Sequence, residues 1–240
     1  KIVKLIIPGE DQNENQAFQA KFLDEKVIGQ PVAAMYLVSQ ELNRGAELAE
    51  GMLDLAKESL TGTNRKEARM EFAGSCSALE RLQKKMLSSG AMTEIQAEKT
   101  AGLLSVSNNL ERITERCSDI LQIVEKVQNE NRQISDEAVG ELKNCFAILN
   151  YLFEHAMEAV RTGDWEAARK VSRSKNKMRK AQKQFTKAHM ARVKKNLCDS
   201  SMLEDFSNLL YNLDRIADNC VSIAEEALDD VIFVNLEVMH

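Results

Sequence analysis

Proline is nearly missing from this chain: two residues in 240, Pro8 and Pro31. Glycine numbers only ten, and aromatic residues make up 5%. So few breakers exclude a chain cut into many short elements, and so few aromatics argue against a strand-rich fold. The five cysteines (Cys76, Cys117, Cys145, Cys198 and Cys220) are odd in number and contain no Cys-x-x-Cys pair. That excludes a disulfide framework and a Cys/His zinc centre, and they read as reduced, small core residues in a reducing compartment. No run approaches the roughly 20 apolar residues that span a bilayer. The opening segment Lys1-Ile-Val-Lys-Leu-Ile-Ile7 is far too short, and no signal peptide is visible. Because the first residue is Lys rather than Met, the chain reads as an excerpt that a membrane domain could precede. Gly-rich phosphate loops and Gly-x-Ser-x-Gly are also lacking. The histidines His155 and His189 have Leu152 and Thr186 where a Glu-x-x-His di-iron motif needs its glutamate. With no visible nucleophile or base, the expectation is a protein that is not an enzyme. The net charge of −5 gives no reason to expect a nucleic-acid partner.

What remains is a globular composition, 44% apolar and 29% charged, arranged in helical periods. Residues 1–30 read as an irregular linker, broken at Pro8-Gly9. Gly29-Gln30-Pro31 opens a first helix to about Leu60, with Met35, Val38, Leu42, Gly45, Ala49, Met52 and Ala56 in steps of three and four. A second helix is expected over Arg65 to Leu87, after the stop at Thr61-Gly62-Thr63-Asn64. Thr93, followed by Glu94 and Gln96, opens a third, with Leu103, Val106, Leu110, Ile113, Cys117, Ile120, Val124 and Val127 on one stripe. Gln128 to Gln133 is a polar joint. The fourth helix carries Val139, Leu142, Phe146, Leu149, Phe153, Ala156 and Val160, and ends at Thr162-Gly163-Asp164. The fifth runs from Trp165, read as stapling the helix start to the core, to about Lys195. The sixth carries Met202, Phe206, Leu209, Leu213, Ile216, Cys220, Ile223 and Ala227. The tail Val231 to His240 reads as a short helix or a docking segment. Six long helices joined by short turns predict an all-α fold of antiparallel neighbours.

The strongest internal signal is a duplication. Asn109-Leu-Glu-Arg-Ile-Thr-Glu-Arg-Cys-Ser-Asp-Ile120 aligns without a gap on Asn212-Leu-Asp-Arg-Ile-Ala-Asp-Asn-Cys-Val-Ser-Ile223, at an offset of 212 − 109 = 103 residues. Asn, Leu, Arg, Ile, Cys and Ile are identical, and two further pairs are acidic in both copies. Thr61-Gly62 and Thr162-Gly163 each separate the first helix of a half from the second. The reading is a duplicated three-helix unit: two tandem bundles over residues 31–130 and 131–230, with a tail at 231–240.

Each copy carries two acids one helical turn apart, Glu111 with Glu115 and Asp214 with Asp218, beside the apolar stripe. Carboxylates without His or Cys suit a hard cation such as Mg²⁺, Ca²⁺, Mn²⁺ or Fe³⁺, which makes these four residues candidate metal ligands. The alternative is ion pairing with Arg112, Arg116 or Arg215, or with the fifth helix. Between Arg169 and Lys195 that helix holds twelve Lys and Arg residues and no acid. It either lies against acidic neighbours or meets an anionic membrane leaflet or phosphate groups.

At Asn109-Leu-Glu-Arg-Ile and Asn212-Leu-Asp-Arg-Ile the chain resembles the PhoU family, whose signature of spaced acids recurs once per three-helix half. Leu23-Asp24-Glu25, Glu41 and Arg44, and His189 to Arg192 are similar to the members fused behind sodium-phosphate cotransporters. The resemblance implies two three-helix bundles side by side and a non-catalytic regulator of phosphate uptake. It also implies a transporter membrane domain as partner, a homodimer, and a place on the cytoplasmic side of the cell membrane. By position it puts iron or zinc clusters on Glu111, Glu115, Asp214 and Asp218. This chain departs from the motif at Thr114, Glu115 and Arg116 in the first copy, and at Ala217 and Asn219 in the second. A free-standing PhoU-type regulator and a metal-free scaffold or dimerisation module remain as alternatives.

Overall fold

The computed structural model describes residues 20–61, 84, 85, 88 and 90–234. Five long helices lie among them: α1 (Pro31–Ser59), α2 (Glu94–Asn129), α3 (Asp136–Thr162), α4 (Trp165–Lys194) and α5 (Met202–Leu228). A 3-10 turn covers Glu25–Val27, and Lys84, Lys85 and Ser88 are also helical. Of the helix expected over Arg65 to Leu87, Lys84 and Lys85 are described and are helical, and the rest lies outside the described residues.

Local chemistry sets the helix ends. Pro31 sits in the first turn of α1, where its missing N–H has no partner to lose. Thr93 and Gln96 form a reciprocal capping box on α2. The Ser135 and Asp164 side chains accept backbone N–H bonds at the starts of α3 and α4. Gly163 ends α3 in the left-handed region at φ 72°, a conformation that costs a residue with a Cβ. Only Gly163 and Asp164 separate α3 from α4, so the two helices run antiparallel.

The three-and-four stripes face inward as expected. Every position of the stripes on α1, α2 and α5 is buried, and on α3 Val139 alone is partly exposed. α3, α4 and α5 each pack against the other two, which makes the second half a three-helix bundle. α1 packs on α2. The halves are not independent of one another: α2 packs lengthwise on α5 and α1 also touches α3, so one hydrophobic core runs through both. The seam is made by the duplicated motifs themselves. Ile113, Cys117 and Ile120 of α2, and Ile216, Cys220 and Ile223 of α5, are all essentially inaccessible to solvent. Burial pushes the Cys220 thiol up to about 12, in spite of the nearby Lys175 ammonium. It raises Cys117 further, with Cys220 as a second cause. Both thiols stay protonated and act as small apolar fillers.

Two segments outside the long helices dock on this core. Leu23, Val27 and Ile28 pack against it at the amino-terminal end. Beyond α5, residues 231–234 form an extended strap rather than a helix. Phe233 N–H donates to the Val160 carbonyl at 2.7 Å, and Val234 N–H donates to Ser39 Oγ at 2.9 Å. The strap thereby bonds to both α3 and α1. Val231 lies where a Cβ on Gly102 would fall, and Ile232 crowds Gly163 in the same way. Residues 235–240 lie outside the described part of the tail.

One expectation fails. Trp165 does not staple α4 to the core; it is 49% exposed and stacks under the Arg169 guanidinium at 4.0 Å. Ala167, Ala168 and Val171 fill the core-facing positions of this turn instead. Tryptophan at the first helical position points away from them.

Replacing Gly163 with alanine places a Cβ in the left-handed region and within 2.7 Å of the Ile232 side chain. We expect Gly163→Ala to cost about 1–2 kcal/mol and to lower the melting temperature by roughly 2–8 °C. A thermal melt followed by far-UV circular dichroism checks it, and an unchanged melting temperature contradicts the strap contact.

Candidate functional site

The duplicated acids sit on α2 and α5, the two helices of the seam. Because Leu213, Ile216, Ala217 and Cys220 of α5 face inward, Asp214 and Asp218 fall at the margin of the buried stripe. Lys175 of α4 reaches that margin from the neighbouring helix. Its ammonium lies 2.6 Å from Asp214 Oδ1 and 2.7 Å from Asp218 Oδ1, and it also donates to the Asp214 carbonyl at 2.8 Å. Arg215 closes the outer side, with Nη2 at 2.9 Å from Asp218 Oδ2 and 3.5 Å from Asp214 Oδ2. The Lys175 side chain is 9% exposed and that of Asp214 13%, so the lysine is largely removed from water and saturated by three oxygens. The like-charge repulsion expected of two acids one turn apart is thus relieved within the chain.

The first copy is built differently. Glu111 and Glu115 lie on the exposed face of α2, and neither joins the Lys175 cluster. Arg116 bonds Asp119 at 3.1 Å and reaches across the seam to Asn212 Oδ1 at 3.5 Å. Asn109 and Asn212, equivalent in the repeat, are both buried and donate to carbonyls four residues earlier on their own helices.

The structure therefore brings Asp214 and Asp218 to one shared cation and leaves Glu111 and Glu115 apart from them. Among the described residues, no group of three or more His, Cys, Asp or Glu side chains is placed to hold a metal ion. A resident metal does not fit the second pair as it stands, since the Lys175 ammonium occupies the space between the carboxylates.

Other polar groups near the seam act as fasteners. Asp205, in the first turn of α5 and 3% exposed, is held by Lys126 of α2 at 3.0 Å and by Arg132 of the joint at 2.7 Å. Burial pushes its carboxyl upward, but the hydrogen bonds from Lys126 and Arg132 outweigh that and hold it below the usual range. Arg132 also pairs with Glu130. Sequence reasoning missed this cluster, because Asp205 looks like any acid in a helix's first turn. The buried Glu41 accepts two bonds from Arg44 through Oε1, and its Oε2 receives the Lys21 and Phe22 amides at 3.0 and 3.1 Å. In that way Glu41 anchors the chain before α1. His189 is buried and stacks on Phe206, with ring centroids 4.3 Å apart. Burial, and then the Arg192 charge, lower its pKa and keep the ring neutral. Arg192 itself is clamped by both Glu141 oxygens at 2.8 and 2.6 Å.

Comparison with known proteins gives a direction. The family model described as "PhoU domain" matches residues 142–227, which takes in most of α3, all of α4 and nearly all of α5. The chain is 26% identical over 202 residues to the "Putative inorganic phosphate export protein YjbB" of Salmonella typhimurium (strain LT2), covering 80% of this chain and 36% of that protein. It is 25% identical over 237 residues to the protein of that name in Escherichia coli O157:H7, covering 95% of this chain and 43% of the relative. It is 24% identical to the one in Escherichia coli (strain K12), with the same coverage. The chain thus spans about two fifths of the length of the curated relatives it matches. No solved structure matches. Residues 142–227 are thus similar to the PhoU domain, and the chain is similar to proteins whose names refer to inorganic phosphate export. No described helix is long and apolar enough to cross a membrane.

Two outcomes follow from the ion pairs. Lys175→Met removes the inner counterion of two neighbouring carboxylates, leaving them Arg215 on the outer side, and should cost about 3 kcal/mol, read as a drop of about 6–12 °C in melting temperature. In an Asp214→Asn/Asp218→Asn background the same change should cost much less, and equal costs in the two backgrounds contradict the shared-cation geometry. Asp205 has a depressed folded-state pKa, so its stabilisation is present above its unfolded value near 4 and is lost as pH falls through the folded value. Asp205→Asn should therefore be less stable than wild type at neutral pH and should flatten the acid limb of a melting-temperature profile. An unchanged acid limb contradicts the role given to Lys126 and Arg132.

Proposed function

We propose that this chain is a non-catalytic, PhoU-type regulatory domain that controls phosphate movement by binding a membrane transport domain through its helical surfaces. The observation that carries the reading is the duplicated Asn-Leu-acid-Arg-Ile motif, whose two copies form the central seam of the helical core. The PhoU match over residues 142–227 and the phosphate-export wording in the relatives' names support it. In the finer form of the proposal the transport domain is a sodium-dependent phosphate cotransporter, and the chain sits on the cytoplasmic side of the cell membrane. A second copy of the chain is a further partner in this reading. Rigid helix faces pinned by the Lys175 and Asp205 clusters suit such a role, because a regulator that reads a partner's shape must hold its own surface fixed.

Metal binding belongs to the same proposal, with iron, zinc or Mg²⁺ on Glu111, Glu115, Asp214 and Asp218. At the second pair a metal must displace the Lys175 ammonium, so metal and lysine compete for the same oxygens.

The regulatory reading is tested by radiolabelled phosphate influx and efflux in a bacterial host expressing the chain. The proposal predicts a changed initial rate in at least one direction, and unaltered rates in both directions despite soluble, folded expression contradict it. The metal assignment is tested separately by equilibrium dialysis against Fe³⁺, Zn²⁺ and Mg²⁺. Wild type should retain more metal than Asp214→Asn/Asp218→Asn, and equal metal content ends the assignment.

A further inference from the structure

The basic run of α4 has a structure that charge counting alone does not show. Of its twelve cations only two turn inward: Lys175 to Asp214 and Asp218, and Arg192 to Glu141. Ten are exposed. At about 100° per residue, nine of these ten (Arg169, Lys170, Arg173, Lys177, Lys180, Lys183, Lys187, Lys194 and Lys195) fall within an arc of about 140°. Val171, Met178 and His189, which face the core, lie on the opposite side. From Arg169 to Lys194 the row is about 38 Å long at 1.5 Å per residue. No acid interrupts it between Arg169 and Lys194. One turn earlier on the same arc the exposed Glu166 pairs with Arg169 at 4.0 Å. Arg173, Lys180, Lys183 and Lys187 have no ion-pair partner among the described residues.

Two apolar groups share or border this face. Trp165 is 49% exposed and falls within the arc, and Met190 is 44% exposed at its edge. A tryptophan beside a row of cations is the side-chain pair that settles at a lipid headgroup boundary, where the indole is buried and the cations meet phosphate. The charge balance also restricts the partner. A chain of net charge −5 that carries nine positive charges on one straight face is strongly acidic elsewhere. A flat anionic surface touches the basic face and leaves the acidic body turned away, whereas a polyanion that wraps around the protein would meet both.

We infer that the outward face of α4, from Trp165 to Lys195, docks this domain flat on a membrane leaflet rich in anionic phospholipids. The row lies parallel to the lipid plane and Trp165 enters the headgroup layer. Each basic side chain near such a surface raises partitioning about fivefold, an effect that fades as salt shortens the screening length. The inference is independent of the regulatory reading and of any metal.

The test is co-sedimentation of the chain with vesicles of phosphatidylcholine alone and of equal parts phosphatidylcholine and phosphatidylglycerol, at low and high salt. Trp165 is the single tryptophan, so its emission reports the same event. Binding to the mixed vesicles at low salt, with a blue-shifted emission quenched by brominated lipid, is the expected result. It should be lost at high salt and on pure phosphatidylcholine. Arg173→Gln/Lys180→Gln/Lys183→Gln/Lys187→Gln should weaken binding by at least about 100-fold. Lys26→Gln/Arg112→Gln, which removes exposed charge elsewhere, should leave it nearly unchanged. All four α4 positions are exposed, so the variant's melting temperature serves as the check that it folds. Equal sedimentation with both vesicle types, no sedimentation with either, or equal loss in the two variants overturns the inference. So does preferential capture by duplex DNA with no gain on the anionic vesicles.

Discussion

The contact on which the rest of the structure depends is the apolar seam between α2 and α5. Ile113, Cys117 and Ile120 meet a helix carrying Ile216, Cys220 and Ile223 at the equivalent places, and each of the six is buried. Small thiols alternating with branched side chains let the helices lie close along their length. Everything polar near the seam is arranged around that closeness. Arg116 crosses it to Asn212, Lys126 crosses it to Asp205, and Lys175 neutralises the acids at its far margin. The strap at 231–234 then ties α1 to α3. Joined in this way, α1 with α2 and α3 with α4 and α5 share one core.

The two halves have kept the seam and changed its margin. Asp214 and Asp218 share the Lys175 ammonium, whereas Glu111 and Glu115 lie on an exposed face of α2 and take no part in that cluster. The repeated motif thus presents two unlike surfaces, one with Lys175 between its carboxylates and one without that lysine. That asymmetry suits a protein that must meet a partner in a single orientation, since identical faces would allow two.

Much of this was legible in the residues. The stripes on α1, α2, α3 and α5 could be read because a period of three and four leaves few other assignments for a chain with two prolines, and the caps at Thr93 and Asp164 follow from side-chain chemistry. The offset of 103 residues pointed to the seam, although nothing in the pattern said that the two copies would face each other rather than lie apart. The partners of charged residues were not legible. Lys175 is one of twelve cations in an unbroken run, and only the rotation of α4 selects it for Asp214 and Asp218. Asp205 resembles an ordinary first-turn acid, and its partners lie 79 and 73 residues away. The size of Trp165 suggests burial, while its position on the helix decides otherwise and leaves it half exposed.

The motif helices weld both halves into one cooperative unit. Native-state hydrogen exchange measures it most directly. Amides of α2 around Cys117 and of α5 around Cys220 should be the slowest in the chain and should open with the same free energy, close to that of global unfolding. Two separate opening free energies, one for α1 with α2 and another for α3 with α4 and α5, would contradict it.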